Sequence, residues 1–150
     1  MKIAFVIPTD SFNFDPFRNI PLNVLHLSTL LENHFKDKIE VSVIDLRGVP
    51  QKNCLYYVDQ NDVFMYSLTT INYPEIIRML NEIKAQYPSA KHVAGGIHVD
   101  LYPDDCLKHF NSVCKGEGDD AIIQIVDDYL NKCPKSVYEE LKLLDINKFP

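Results

Sequence analysis

Short apolar runs alternate along this chain with helix-like patterns, and all five glycines sit just behind one of those runs. The runs span 2–7, 39–46, 62–66, 92–94 and 111–114. Gly48 follows the second, Gly95 and Gly96 the fourth, and Gly116 and Gly118 the fifth. Strands that alternate with helices pair in parallel, and the helices then cover both faces of the sheet. The expectation is an α/β fold, a three-layer sandwich around a five-stranded parallel sheet. The common order for five such strands is 2-1-3-4-5, with its switch point between strands one and three, and ligands bind beyond the carboxyl ends of the strands there. The segments 8–19, 67–72, 95–100 and 115–119 meet at that edge, and all are polar or glycine-bearing.

The helical patterns fill the gaps. Leu22, Leu25, Leu27, Leu30 and Leu31 mark one face of a helix that Pro21 opens and that ends near Phe35. Tyr73, Pro74 and Glu75 open a second, faced by Ile76, Ile77, Met79, Leu80 and Ile83. Another starts near Tyr102 and Pro103, and the last starts at Asp119 and Asp120 and carries Ile122, Ile125 and Val126. Residues 51–61 have the weakest pattern, with a short helix expected over 54–57. The domain is expected to span 1–133. The segment 134–150, with Val137, Leu141 and Leu144 as its sparse apolar positions, reads as a linker toward a further C-terminal domain.

Several function classes are excluded at this level. A formal charge of −6 with scattered lysines offers no basic stripe for phosphates, so nucleic acid is not an expected partner. No apolar run approaches the ~20 residues that span a bilayer, and the N-terminal run lacks the small-residue cleavage site of an export signal. Cys54, Cys106, Cys114 and Cys133 show no CxxC spacing and read as reduced thiols of a cytoplasmic protein. There is no P-loop and no GxGxxG, and the third run ends at Tyr66-Ser67 rather than at a phosphoacceptor aspartate. No nucleophile, base and orienting group fall together, so no catalytic residue and no metal site are expected in this domain alone.

What remains are ligand contacts. Ser67, Thr69 and Thr70 bring hydroxyls to the switch point, where they either meet a ligand or cap the next helix. The pair Gly95-Gly96 permits close approach to backbone. His98, just beyond it, stands to contact a ligand or a metal, whereas His92 begins a strand and reads as structural, and His26, His34 and His109 fall in helix patterns. Gly116, Glu117 and Gly118 precede a helix start, whose amide groups suit a phosphate or a polar ligand edge as well as they suit a plain turn.

Taken in order, residues 1–8, residues 20–32, Val43-Ile-Asp-Leu46, Ser67-Leu-Thr-Thr70, Gly95-Gly-Ile-His98 with Tyr102-Pro-Asp-Asp105, and Gly116-Glu-Gly118 form a pattern. It resembles the N-terminal cobalamin-binding domain of cobalamin-dependent radical S-adenosylmethionine enzymes, over nearly the whole chain. The resemblance implies a flavodoxin-like fold that holds cobalamin with its nucleotide tail threaded between the sheet and its helices. Cofactor contacts would come from Pro8, Thr9, Asp10, Ser67, Leu68, Thr69, Thr70, Gly95, Gly96, Ile97, His98, Gly116, Glu117 and Gly118. It further implies a methyl-transferring enzyme in which methylcobalamin carries the methyl group to a small-molecule substrate. S-adenosylmethionine and a 4Fe-4S cluster would belong to a radical domain further along the same chain.

Two departures shape these expectations. The DxHxxG motif, whose histidine binds cobalt in cobalamin-dependent mutases and methionine synthase, is missing from 8–19, which offers Asp10 and Asp15 instead. Cobalt without a protein imidazole is therefore expected. The CxxxCxxC of an iron–sulfur cluster is also missing, so radical chemistry would lie beyond residue 150. The alternative is a flavodoxin-like interaction or regulatory domain that binds no corrinoid.

Overall fold

The computed structural model describes residues 1–9 and 14–140. Its strands are β1 (Lys2–Ile7), β2 (Glu40–Asp45), β3 (Val63–Ser67), β4 (Lys91–Gly95), β5 (Ser112–Gly116) and β6 (Val137–Glu140). Its helices are α1 (Leu22–Phe35), α2 (Tyr73–Gln86), α3 (Ile97–Leu101), α4 (Pro103–Cys106) and α5 (Asp119–Leu130), with a 3-10 segment over Gln51–Tyr57. Among the described residues the strands form one parallel sheet in the order β2-β1-β3-β4-β5-β6. The switch between β1 and β3 is where the sequence places it.

The five-strand expectation is corrected to six. The additional strand β6 lies inside 134–150 and pairs along β5 from Val113 opposite Val137 to Gly116 opposite Glu140. Tyr138 anchors it: the ring is buried, its hydroxyl donates to Asp128 Oδ2 at 3.0 Å, and it accepts the Lys135 amide at 2.8 Å. Only Val137 and Tyr138 are apolar in this strand, too few to stand out from a linker in sequence. Leu141, Leu144 and the rest of 141–150 lie outside the described residues. A second difference concerns the segment after β4, where one helix is expected from near Tyr102. Two short helices stand there instead, and α3 begins immediately after Gly96. Pro103 lacks an amide hydrogen and cannot continue α3, so the chain breaks at Tyr102 and restarts.

Alternation along the strands divides the core in two. Ile3, Phe5, Val63, Met65, Val93 and Cys114 face α1 and α5. Ala4, Val6, Phe64, Tyr66, Ala94 and Val113 face α2 and α4. Both α1 and α5 therefore cover one face, although α1 leads toward the β2 edge and α5 toward the β6 edge. The two crossovers have opposite hands, which sets β5–α5–β6 apart from the usual right-handed unit.

The α2 face is filled by rings. His92 stacks on Phe64 with centroids 5.5 Å apart, Phe64 stacks on Tyr87 at 6.3 Å, and Tyr66 tilts against Phe110 at 5.5 Å. His92 is 1% exposed, and its Nδ1 lies 3.1 Å from the Tyr66 hydroxyl. It is a structural histidine, as its position at a strand start implies. Burial, reinforced by the nearby Lys84 and Lys91, pushes its imidazole down from 6.5 to about 4.

The neutral imidazole makes stability pH-dependent. Above pH 6.5 both folded and unfolded chains hold it neutral. As pH falls from 6.5 toward 4, the unfolded chain gains a proton that the folded chain refuses, so stability drops, levelling off below about 4. The loss reaches about 3 kcal/mol at most. Urea unfolding of wild type and His92→Phe at pH 7 and pH 4.5 checks this. The variant forfeits the Tyr66 contact at both pH values, and its acid loss is expected to be smaller. Equal acid losses would refute the assignment.

Candidate functional site

The carboxyl edge of the sheet is held together by a backbone crossing between the ends of β3 and β4. The Leu68 amide donates to Gly95 O at 2.7 Å, and the His98 amide donates back to Leu68 O at 3.1 Å. Gly96 passes against this crossing with φ +97°, where a Cβ would lie 2.8 Å from Leu68 O and 3.0 Å from Leu68 N. Only glycine takes that conformation and that approach without strain. Asp100 of α3 then reaches the end of β5, accepting the Gly116 amide at 2.8 Å.

The hydroxyl cluster at the switch point does not act as one. Ser67 Oγ accepts from Asn23 Nδ2 of α1 at 2.8 Å. Thr69 and Asn72 exchange hydrogen bonds ahead of α2: the Thr69 amide donates to Asn72 Oδ1 at 2.8 Å and the Asn72 amide to Thr69 Oγ1 at 3.3 Å. Thr70 Oγ1 lies 3.2 Å from His98 Nδ1. His98 is not in a loop; it sits in α3, buried between the rings of Tyr73 and Tyr102 at 4.1 and 5.1 Å. Tyr73 in turn donates to Asp105 Oδ2 at 2.9 Å, and burial with that carboxylate raises its phenol above the usual range.

Among the described residues, two cavities open at this edge. The inner one, about 200 Å³, lies between the sheet and α1 and α5. Phe5, Met65, Val93, Leu27, Ile122 and Ile125 give it apolar walls, and Ser67, Gly95, Gly96, Gly116, Glu117 and Gly118 form its rim. The outer one, about 310 Å³, lies over β1 and β3 and takes in Pro8, Pro16, Asn19, Ile20, Arg47, Ser67 and Thr69. Arg47 braces its wall: it pairs with Asp45 Oδ2 at 2.6 Å, donates to Asn19 O at 2.6 Å, and lies 5.3 Å from the centroid of Phe17. The guanidinium holds the Asp45 carboxyl below its ordinary value.

The expected site residues therefore divide. Ser67, Gly95, Gly96, Gly116, Glu117 and Gly118 meet at the inner cavity, while Pro8 and Thr69 join Ser67 at the outer one. Leu68 is fully buried, Thr9 is buried with its hydroxyl donating to Glu75, and Thr70 and His98 bind each other; none of these four lines either cavity. Ile97 is exposed, and Asp10 lies outside the described residues. Sequence reasoning missed Val24 and Leu27 of α1 and Ile122 and Ile125 of α5, because cavity-lining and core positions share one helical periodicity, and Asn23, because a polar, exposed helix residue carries no such signal. Among the described residues, no helix is long and apolar enough to cross a membrane, and no group of three His, Cys, Asp or Glu side chains is arranged to hold a metal ion.

A sequence model of the B12 binding domain matches residues 16–126. Among solved structures, the chain is similar to the cobalamin-dependent S-adenosylmethionine radical enzyme OxsB with aqua-cobalamin bound, at TM-score 0.68 and 18% identity. It is similar to the apo form of OxsB at TM-score 0.58 and 18% identity. In both cases the match covers 89% of this chain and 19% of that one, so this chain spans about a fifth of the enzyme's length. The N-terminal domain of a hypothetical protein from Thermotoga maritima matches at TM-score 0.51 and 21% identity, over 85% of this chain and 98% of that one. At such identities the likeness is one of fold. No curated protein matches.

The two glycines of the pair should respond differently to bulk. A Cβ at Gly95 would meet Cys114 Cβ at an ordinary 3.7 Å on the face of the inner cavity. Gly95→Val is therefore expected to remain within about 1 kcal/mol of the parent. Gly96→Val meets both a left-handed φ and the Leu68 backbone, and is expected to lose about 1–3 kcal/mol or more. Thermal melts of the two variants measure this directly; equal stability would contradict the crossing geometry.

Proposed function

The chain belongs to the B12-binding domain family, and from that premise we propose that it binds cobalamin, with the nucleotide tail in the inner cavity and the corrin toward the outer one. The observation that carries the reading is the inner cavity itself. It is a slot between the sheet and two helices, walled by apolar side chains and open at the glycine rim. Flat heteroaromatic groups are held by such surfaces, with a few polar groups to orient them. Gly95 leaves the slot clear, since its missing side chain would point into it beside Cys114. The residues present fit the group.

When bound, cobalamin supplies a cobalt centre able to carry a methyl group. The chain's own part is to bind and orient. Leu27, Ile122 and Ile125 would exclude water from the tail, and Ser67 and the Gly116–Gly118 turn would meet its polar edges. The Leu68–Gly95–His98 crossing would keep the rim in place. We further propose that the domain serves a radical S-adenosylmethionine enzyme of the methyl-transferring kind, with S-adenosylmethionine and a 4Fe-4S cluster held by another domain of the same protein. The fold likeness to part of OxsB supports the radical S-adenosylmethionine setting; the methyl-transferring kind rests on the sequence resemblance alone.

His98 is proposed to steady Thr70 rather than to ligate cobalt, because its Nδ1 faces Thr70 and it lines neither cavity. Titration with hydroxocobalamin followed by gel filtration tests binding. The protein is expected to retain the chromophore, and Gly95→Val to lose at least tenfold in affinity while staying folded. Chromophore that washes through the wild type would favour a corrinoid-free regulatory domain. In the retained complex, paramagnetic resonance of the cobalt(II) form is expected to show no nitrogen splitting. A splitting that disappears in His98→Ala would make His98 a ligand after all.

A further inference from the structure

The two cavities share three lining residues, Asn23, Val24 and Ser67. The 2.8 Å hydrogen bond from Asn23 Nδ2 to Ser67 Oγ spans this shared boundary, joining the first turn of α1 to the end of β3. A ligand that occupies both cavities has to pass where these side chains now touch. The helix is not free to step aside. Val24, Leu31 and Phe35 are buried in the core, and one turn on from Asn23, His26 Nε2 of α1 is paired with Asp119 Oδ1 of α5. Side-chain rotation is the cheaper opening. Asn23 is exposed, so its carboxamide can turn to solvent on the picosecond-to-nanosecond scale without disturbing the backbone.

We propose that the Asn23–Ser67 hydrogen bond is a latch between the cavities that a corrinoid with a nucleotide tail must break to seat, so that Asn23 governs how fast tailed corrinoids bind. The inference rests on the cobalamin reading of this domain. A neutral, partly exposed hydrogen bond holds the latch shut most of the time but not always. Only the open fraction is competent, and the observed association constant is reduced by that fraction. A corrinoid without a tail seats against the outer cavity alone and need not pass between Asn23 and Ser67.

The test is stopped-flow binding of hydroxocobalamin and of cobinamide, which lacks the nucleotide, to wild type, Asn23→Ala and Ser67→Ala. Asn23→Ala is expected to raise the association rate of hydroxocobalamin about 2- to 10-fold and to accelerate cobinamide less, because a tail-less corrinoid does not pass between the two side chains. Ser67→Ala removes the same bond from the other side and is expected to accelerate association likewise, with faster dissociation as well because the Ser67 contact to the tail is lost; its association rate keeps the test decisive should Asn23→Ala fold poorly. Unchanged or slower association in the folded variants, or equal acceleration of both corrinoids, overturns the latch while leaving cobalamin binding intact. A wild type that takes up neither corrinoid overturns the domain reading, and the latch with it.

Discussion

The carboxyl edge of this sheet is organised by one close approach, that of Gly96 to the backbone of Leu68. With a φ of +97° and less than van der Waals room for a Cβ, the glycine lets β4 turn at once into α3. The turn delivers the His98 amide to Leu68 O, while the Leu68 amide is taken by Gly95 O. The loops after β3 and β4 are thereby locked to each other. The rim at the ends of β3 and β4 is set by that lock. Ser67 faces α1, Asp100 reaches the Gly116 amide, and His98 is packed inward, where it binds Thr70.

The two faces of the sheet are packed to different ends. On the α2 face, Phe64, Tyr66, Tyr87, His92 and Phe110 fill the layer with rings. On the α1 and α5 face, residues such as Val93, Cys114 and Gly95 present smaller surfaces, and the helices leave a cavity of about 200 Å³. Protein interiors are close-packed, and space left in them forfeits contact energy. A fold that seals one face and leaves a slot on the other places that loss where a ligand can offset it.

Much of the framework was legible because it rests on local pattern. The five longer strands, the existence of α1, the face of α2, the start of α5 and the switch between β1 and β3 all follow from hydrophobic spacing and from the positions of glycine and proline. The face of α1 does not, since the helix buries Val24, Ser28, Leu31 and Phe35 and leaves Leu22 and Leu25 exposed. The inner rim was legible too, since Ser67, the Gly95-Gly96 pair and the Gly116–Gly118 turn all end strands. Strand β6 was not, because two apolar residues after a proline carry almost no period and its crossover has the opposite hand from that of β1–α1–β2. The α3 helix was hidden by the glycines before it, which read as loop.

Residue types and their spacing by themselves determined the α/β class, the parallel pairing and the edge at which the glycines gather. These depend on interactions within a few residues or on rules of connection that apply to any such chain. Tertiary structure alone decided which way each side chain at that edge turns. Ser67, Thr69 and Thr70 are near neighbours in sequence, yet one meets α1, one meets Asn72 ahead of α2 and one meets His98 of α3. The reason is physical: a hydroxyl goes to whatever partner packing brings within 3 Å or so, and packing between distant segments leaves no periodic trace in the residues that will meet.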